Sequence, residues 1–229
     1  MFLGNFFSFF HKRSPDILTI SRRDRYRTVD ELFSHLRSVS VYFVLLGLSA
    51  VIVSAGVLLN NSAITIGGML VAPLLTPLLI IGLVLATGHI RPLWRVLLLI
   101  ISSFLMVILV SGLMSMIFSN ENITSVFDRS EKVMLLYAMV AIASGAAGAF
   151  AWCRREVSEA LPGVSVAVTL VPPLSLMGIW LAQGDWPAFV YYASMLGLNV
   201  SGIVIGSFLV FVLLGFHSVN KSVQSRAEE

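Results

Sequence analysis

The residues of this chain that could do chemistry are uncharged, and most of them lie in two short stretches interrupted by proline. They are Gly67, Gly68, Met69, Pro73, Thr76, Pro77, Thr169, Pro172, Pro173, Ser175 and Asn199. Hydroxyl and carbonyl oxygens suit weakly hydrated cations such as Na⁺ or K⁺. A helix that starts at the same place would instead present N–H groups to an anion. The sequence therefore predicts a pathway for an ion or small solute and leaves the charge of that solute open.

Proline supplies the backbone part of this chemistry. Within a helix it removes the hydrogen bond to the carbonyl four residues earlier. We therefore predict that Pro73 frees the carbonyl of Met69 and that Pro77 frees the carbonyl of Pro73. The alternative interpretation is that the prolines only kink helices whose neighbours repair the lost bonds.

Asn199 also has two interpretations. An amide within an apolar helix must find hydrogen-bond partners, so Asn199 faces another helix or a cavity. It then either holds two helices together or contacts a solute.

Several other kinds of chemistry lack the residues they need. Asp, Glu, Lys, Arg and His are missing from the middle of every long apolar stretch, which argues against a buried proton relay. The single cysteine, Cys153, excludes an internal disulfide and a multi-cysteine metal site. The chain has no HExxH motif and no phosphate-binding loop. We predict a protein that is not an enzyme and that holds no metal or other cofactor.

The composition indicates an integral membrane protein. Hydrophobic residues make up 57% of the 229 residues, charged residues only 12%, and the mean hydropathy is +0.91. The charges leave five long stretches free, at 38–88, 96–120, 133–153, 160–184 and 186–220. Apolar runs of about 20 residues are long enough to cross a bilayer as helices.

These stretches predict an all-α, polytopic membrane protein with six transmembrane helices. The predicted spans are 40–59, 62–86, 93–118, 133–152, 162–182 and 187–215. Asn60 and Asn61 form a tight turn between the first two spans, with side chains suited to satisfying helix-end groups. The second and fifth spans are the ones broken by glycine and proline, and half-helices that re-enter the membrane remain an alternative there.

The ends of the chain are polar. Residues 1–39 form an N-terminal arm, in which Thr28 and Glu31 have the spacing of a capping box and predict a short helix from Thr28. Residues 217–229 form a tail. All lysines and arginines except Arg129 and Lys132 lie on one side of the predicted membrane. Because cytoplasmic segments carry this excess, both termini are predicted to be cytoplasmic.

The chain contains an internal repeat. Residues 63–74 align with 163–174, and residues 85–88 align with 181–184. The second span then corresponds to the fifth, which makes residues 40–118 one three-span repeat and residues 133–216 another. An odd number of spans in each half inverts one half relative to the other, as in many secondary transporters. Both breaks lie about half-way across a bilayer core roughly 30 Å thick.

Residues 66–77 resemble the hallmark of a bacterial membrane family called the uncharacterised hydrophobic domain, or domain of unknown function 389. The segments 143–149, 161–164, 170–174 and 184–186 resemble the same pattern in the same order, over about residues 38–216. The resemblance implies a bacterial inner-membrane protein with this fold, and it implies no activity.

The sequence predicts a small inverted-repeat transporter or channel for an ion or small solute, with the two broken helices along the pathway. The alternative is a structural or signalling membrane protein whose kinks only shape helix packing. The expected partners are the lipid bilayer, an inorganic ion or small solute, and further copies of the chain in a homo-oligomer. No binding to nucleic acid is expected.

Overall fold

The computed structural model describes residue 20 and residues 22–34, 38–88, 92–118, 131–154 and 170–216. Most of the segment between the third and fourth predicted spans falls outside these residues, as do the first half of the fifth span, Thr169, the tail and most of the arm. Throughout the described segments the regular structure is helical. The helices are α1 (Arg22–Ser34), α2 (Val39–Leu58), α3 (Ser62–Val71), α4 (Leu75–Thr87), α5 (Leu93–Phe118), α6 (Glu131–Cys153), α7 (Val171–Gln183) and α8 (Trp186–Leu213).

Four of these helices are long and apolar enough to cross a membrane: α2, α5, α6 from Met134, and α8. Helices α3 and α4 pass the same test as a pair that is bent by 53° at a short break. The fold is therefore that of a helical membrane protein. Helix α7 begins at Val171, which covers the second half of the predicted fifth span.

The helix of the N-terminal arm starts earlier than the sequence predicted. Helix α1 begins at Arg22, and Thr28 lies inside it. The Thr28 hydroxyl donates to the carbonyl of Asp24 at 2.9 Å, one turn back within the helix. The predicted capping box is therefore wrong, because threonine in a helix interior bonds the preceding turn instead.

Helices α2 and α3 form an antiparallel hairpin joined by Leu59, Asn60 and Asn61. Asn60 adopts the left-handed conformation, with φ of 50°. The Asn61 side chain caps α3 by accepting from the N–H groups of Ala63 and Ile64. Gly68 fits against α2 so closely that an added Cβ would lie 2.9 Å from the backbone nitrogen of Val53.

Side-chain contacts fix the direction of the remaining helices in the first half of the chain. Along α2 and α5, Tyr42 pairs with Ser103 and Ser54 pairs with Ser111, so these two helices are parallel. Because α4 continues α3 beyond the bend, it runs opposite to α2 and α5.

The second half of the chain has the opposite order of directions. A Cβ added at Gly178 would lie 2.9 Å from the Cβ of Ser111, and one at Gly112 would lie 4.0 Å from that of Ala182, so α7 runs parallel to α5. Helix α8 follows the turn at Gly184 and runs antiparallel to α7. Helix α6 runs parallel to α8, because Gly202 lies against Ala138 and Ala141 and Gly206 lies against Ile142 and Ala146.

The half-helices α4 and α7 are the most deeply buried elements of the described structure. In α4 every residue from Pro77 to Val84 is buried, and in α7 every residue from Val171 to Ile179 is buried. The long helices α2, α5, α6 and α8 pack around them and keep apolar faces exposed. Polar groups at the starts of α4 and α7 therefore lie inside the helical assembly.

Candidate functional site

The break between α3 and α4 consists of Ala72, Pro73 and Leu74. Ala72 is extended, with ψ of 122°, and its N–H donates to the carbonyl of Met69 at 3.2 Å. The prediction that Pro73 frees this carbonyl is therefore wrong. The tighter turn at the end of α3 supplies the donor that proline lacks.

This rearrangement exposes a different carbonyl, that of Gly68, which an unbroken helix would pair with Ala72. The Ser49 hydroxyl of α2 donates to the Gly68 carbonyl at 2.7 Å, and Ser49 is fully buried. Because Ser49 lies midway along α2 (Val39–Leu58), the break lies near the middle of the predicted membrane. A neighbouring helix has repaired the backbone at this point.

The other prolines start helices rather than break them. Pro77 lies in the first turn of α4, and Pro172 and Pro173 lie in the first turn of α7. The N–H groups of a first turn have no acceptor within the helix, so proline there costs no hydrogen bond. Pro77 thus lies at a helix start, and the prediction that it leaves the Pro73 carbonyl free stays a prediction. These prolines also remove N–H donors that an anion would need at the same helix starts.

A cavity of about 300 Å³ lies beside the first break. Its walls come from the α1–α2 junction, the first turns of α2 and the start of α4. The lining residues are Ser34, Ser38, Val41, Tyr42, Leu45, Pro73, Thr76 and Pro77. Three of the predicted pathway residues, Pro73, Thr76 and Pro77, thus share one cavity.

The cavity is mostly apolar, and its polar groups are hydroxyls. The Tyr42 hydroxyl is hydrogen-bonded to the hydroxyl of Ser103 at 2.9 Å. Both side chains are buried, with 8% and 0% of their surface exposed. This pair links α2 to α5 at the level of the break.

Asn199 lies within the helix packing and has no surface exposed. Neither the oxygen nor the nitrogen of its amide has a hydrogen-bond partner among the described residues. Gly202 and Gly206, one and two turns further along α8, pack against α6. By helix periodicity, Asn199 lies on the same face of α8.

Ser175 in α7 is a second buried group of this kind, fully buried and with no described partner for its hydroxyl. The hydroxyl of Ser115 in α5 is also unpartnered within the described chain. Ser115 follows Ser111 by one turn toward the end of α5, which places it away from the breaks.

Helix register places Asn199 level with the break between α3 and α4 and with the start of α7. Gly82 packs against Ser207 between the parallel helices α4 and α8, and Asn199 lies about 12 Å before Ser207 at the usual helical rise. Leu74, at the break between α3 and α4, precedes Gly82 by the same interval and therefore lies level with Asn199. Across the α7–α8 turn at Gly184, Asn199 is level with Leu170, immediately before α7.

A matching polar residue lies in the first half of the chain. Gly178 packs against Ser111 as Gly82 packs against Ser207, and Ser103 lies as far before Ser111 as Asn199 lies before Ser207. Ser103 therefore occupies the position in α5 that Asn199 occupies in α8. Ser103 bonds Tyr42, whereas Asn199 has no such partner in the described structure.

We call this level of the molecule the midplane layer. Its members are Ser49, Tyr42, Thr76, Ser103 and Asn199, and Ser175 lies beside it, one turn further along α7. Thr76, Ser175 and Asn199 were predicted from the sequence, and Ser49, Tyr42 and Ser103 were not. The signal for these last three was a set of single hydroxyl groups in otherwise apolar helices.

The remaining predicted residues have other surroundings. Gly67 lies on the exposed face of α3, and a Cβ added there meets nothing within 4 Å. Gly68 allows close packing of α3 on α2. Thr169 lies outside the described residues. Between Val96 and Phe118 and between Val171 and Gln183, the described helices contain no charged side chain.

The fold defines a helical membrane protein with a broken, buried helix. The chain belongs to the family described as a domain of unknown function, DUF389, whose model matches residues 69–205. This match includes the first break, α7 and Asn199.

A curated relative is an uncharacterised protein of Methanocaldococcus jannaschii, MJ0678. It is 25% identical over 175 residues, which cover 72% of this chain and 52% of the relative. This chain thus spans about half the length of the relative. No solved structure matches the chain.

Proposed function

We propose that this protein is a small, non-enzymatic membrane transporter or channel, with a solute pathway through the midplane layer. Its architecture would be six spans arranged as two inverted repeats of three. The helix directions support this proposal, because α2, α4 and α5 alternate in the opposite sense to α6, α7 and α8. Gly82 of the first half packs on Ser207 of the second, and Gly178 of the second half packs on Ser111 of the first. Reciprocal contacts of this kind are expected between two related halves.

The observation that carries the proposal is the Asn199 amide. A buried amide without partners costs on the order of 1–3 kcal/mol, so such groups are rare. Asn199 lies in the helix that follows α7, at the level of the break between α3 and α4 and of the start of α7. Interrupted helices at matching positions of two halves mark the binding site in many transporters.

The second candidate is a structural or signalling role, and one observation favours it. The Gly68 carbonyl is bonded by Ser49, and Pro77, Pro172 and Pro173 lie where proline costs no hydrogen bond. These breaks would then serve only to shape the packing of the half-helices. This candidate leaves the Asn199 amide without an explanation.

A flux assay with purified full-length protein in liposomes separates the two candidates. The probes are water, glycerol, Na⁺, K⁺ and Cl⁻, each compared with empty liposomes. A transporter or channel moves at least one probe, and Thr76→Val reduces that flux because Thr76 lines the cavity beside the break. Flux equal to that of empty liposomes for every probe would favour the structural role.

We further propose that the protein lies in a bacterial inner membrane as a homo-oligomer with both termini cytoplasmic. The placement of lysine and arginine supports this orientation. Reporter fusions at Gly88 and at the C-terminus would test it, and both should report the cytoplasm.

A further inference from the structure

We infer that the site at Asn199 takes a small, uncharged molecule that both donates and accepts hydrogen bonds. Ordered water is the smallest member of this class, and small alcohols and amides are others. The inference rests on the proposed function in taking the midplane layer as the place where the solute stops, and it specifies the chemical class of that solute.

The first observation is that the Asn199 amide has two ends with opposite hydrogen-bonding roles. The oxygen is an acceptor and the nitrogen is a donor, and both are fully buried without a described partner. A bare cation would satisfy only the oxygen, and a simple anion would satisfy only the nitrogen. A molecule that satisfies both ends must itself donate and accept.

The second observation concerns the backbone carbonyls at the break between α3 and α4. Two carbonyls at the end of α3 are already bonded, that of Gly68 by Ser49 and that of Met69 by Ala72. A cation in this place would therefore lack these two oxygens as replacements for its water shell.

An anion would find fewer N–H donors for a similar reason. Pro172 and Pro173 occupy the first turn of α7, and Pro77 occupies that of α4. These prolines remove N–H groups where a helix start would otherwise bind negative charge. The described spans near the layer also contain no charged side chain to balance an ion, since α7 is uncharged throughout and α8 has none between Trp186 and Leu213.

The equivalent position in the first half, Ser103, shows how a side chain of the protein can satisfy a buried polar group at this level. Ser103 occupies in α5 the position of Asn199 in α8, and the Tyr42 hydroxyl of α2 bonds it. Against α8, Gly202 contacts Ala138 of α6, a residue with no polar side chain. Among the described residues, Asn199 has no side-chain partner of the kind that Ser103 has, and a bound polar molecule would take its place.

Ser175 adds a further neutral hydroxyl in the same part of the fold. It is fully buried, its hydroxyl has no described partner, and it lies one turn into α7. A hydroxyl can donate or accept as its hydrogen rotates. It thus fits the same uncharged class and favours neither ion.

Nuclear magnetic resonance of the Asn199 side chain tests this inference without depending on transport. The full chain is labelled with ¹⁵N-asparagine in detergent micelles, and Asn199→Leu identifies the Asn199 signal by its loss. The expected result is a magnetisation-transfer peak between water and the Asn199 NH₂ group. Formamide added at millimolar concentration should shift the signal, whereas NaCl and KCl should leave it unchanged.

Two results would overturn the inference. One is a signal that shows no contact with water and no response to formamide, which would make the site dry. The other is a signal that shifts with NaCl or KCl and not with formamide. A positive result together with no flux in liposomes would keep this inference and reject the transport proposal. If Asn199→Leu fails to fold, Asn199→Gln removes the ¹⁵N-asparagine signal in the same way and makes the assignment.

Discussion

Gly82 on α4 lies directly against Ser207 on α8, so that a methyl group added at Gly82 would overlap the serine hydroxyl. Gly178 on α7 stands in the same relation to Ser111 on α5. Along the chain, Gly178 follows Gly82 at the same interval at which Ser207 follows Ser111. The two half-helices are thus held by equivalent small residues, each against the last helix of the opposite half.

We predict that alanine at these glycines destabilises the protein. At Gly178 the added methyl would meet the Ile108 carbonyl oxygen and lie 3.0 Å from the Gly112 nitrogen, which are backbone atoms that cannot rotate away. Overpacking of this kind costs about 1–3 kcal/mol. Gly178→Ala should therefore lower the temperature of thermal unfolding in detergent, and Gly82→Ala should do so as well.

Gly67→Ala is the matched control, because an added Cβ at Gly67 meets nothing within 4 Å. Replacing a helical glycine by alanine there should stabilise the helix by up to about 1 kcal/mol. Equal effects at Gly67 and Gly178 would show that the close contact between α5 and α7 does not exist.

The repair of the break by Ser49 predicts a second loss of stability. Ser49→Ala leaves the Gly68 carbonyl without its donor in an apolar interior, which costs about 1–3 kcal/mol. Ser102→Ala is the control, because that hydroxyl is exposed and bonds only its own helix, at the Leu99 carbonyl. Thermal unfolding should separate the two variants, and a loss at Ser102 as large as that at Ser49 would reject the repair.

The bond between Tyr42 and Ser103 predicts energetic coupling between two helices. Tyr42→Phe and Ser103→Ala each remove one hydroxyl of the pair. A double-mutant cycle of unfolding free energies should give a coupling of about 0.5–1.5 kcal/mol, the usual net value of such a bond. Additive effects would mean that the two hydroxyls do not interact.

The N-terminal helix α1 is predicted to shield the ends of α6 and α8. Arg25 donates to the carbonyls of Gly215, at 2.9 Å, and Ile20, at 3.0 Å, and it thereby ties α1 to the end of α8. The buried Cys153 is the chain's single cysteine and ends α6, which packs against α1. Arg25→Ala should speed the labelling of Cys153 by a maleimide.

Arg23→Ala is the matched control for charge, because Arg23 is exposed on the same helix. Its labelling rate should equal that of the unmodified protein. If Arg25→Ala also leaves the rate unchanged, α1 does not protect Cys153.

The sequence predicted the broken helix at Pro73 and the spans on either side of it, because proline and apolar length act locally. It did not predict the roles of Pro77, Pro172 and Pro173. Proline costs a hydrogen bond in a helix interior and none in a first turn, so its effect depends on where the helix starts. The same local uncertainty misplaced the start of α1 at Thr28.

The partners of the polar groups depended on the fold. Asn199 stood out in the sequence as an amide in an apolar helix, but whether it finds a partner among the described residues depends on which side chains the fold places opposite it. The bonds from Ser49 to Gly68 and from Tyr42 to Ser103 join different helices, and a serine in an apolar run does not show which backbone it will reach. Gly67 and Gly68 are neighbours in sequence, yet one faces outward and the other packs against α2.

The measurement that tests the central claim most directly is glycerol and water flux through liposomes that contain Asn199→Leu. Ser194→Ala on the same helix is the control, because Ser194 is exposed and bonds only the Val190 carbonyl. We predict that flux through Asn199→Leu is about tenfold or more below that of the unchanged protein, as expected when a hydrogen bond worth about 1.4 kcal/mol is removed. Ser194→Ala should keep that flux. Unchanged flux in a folded Asn199→Leu protein would contradict the account.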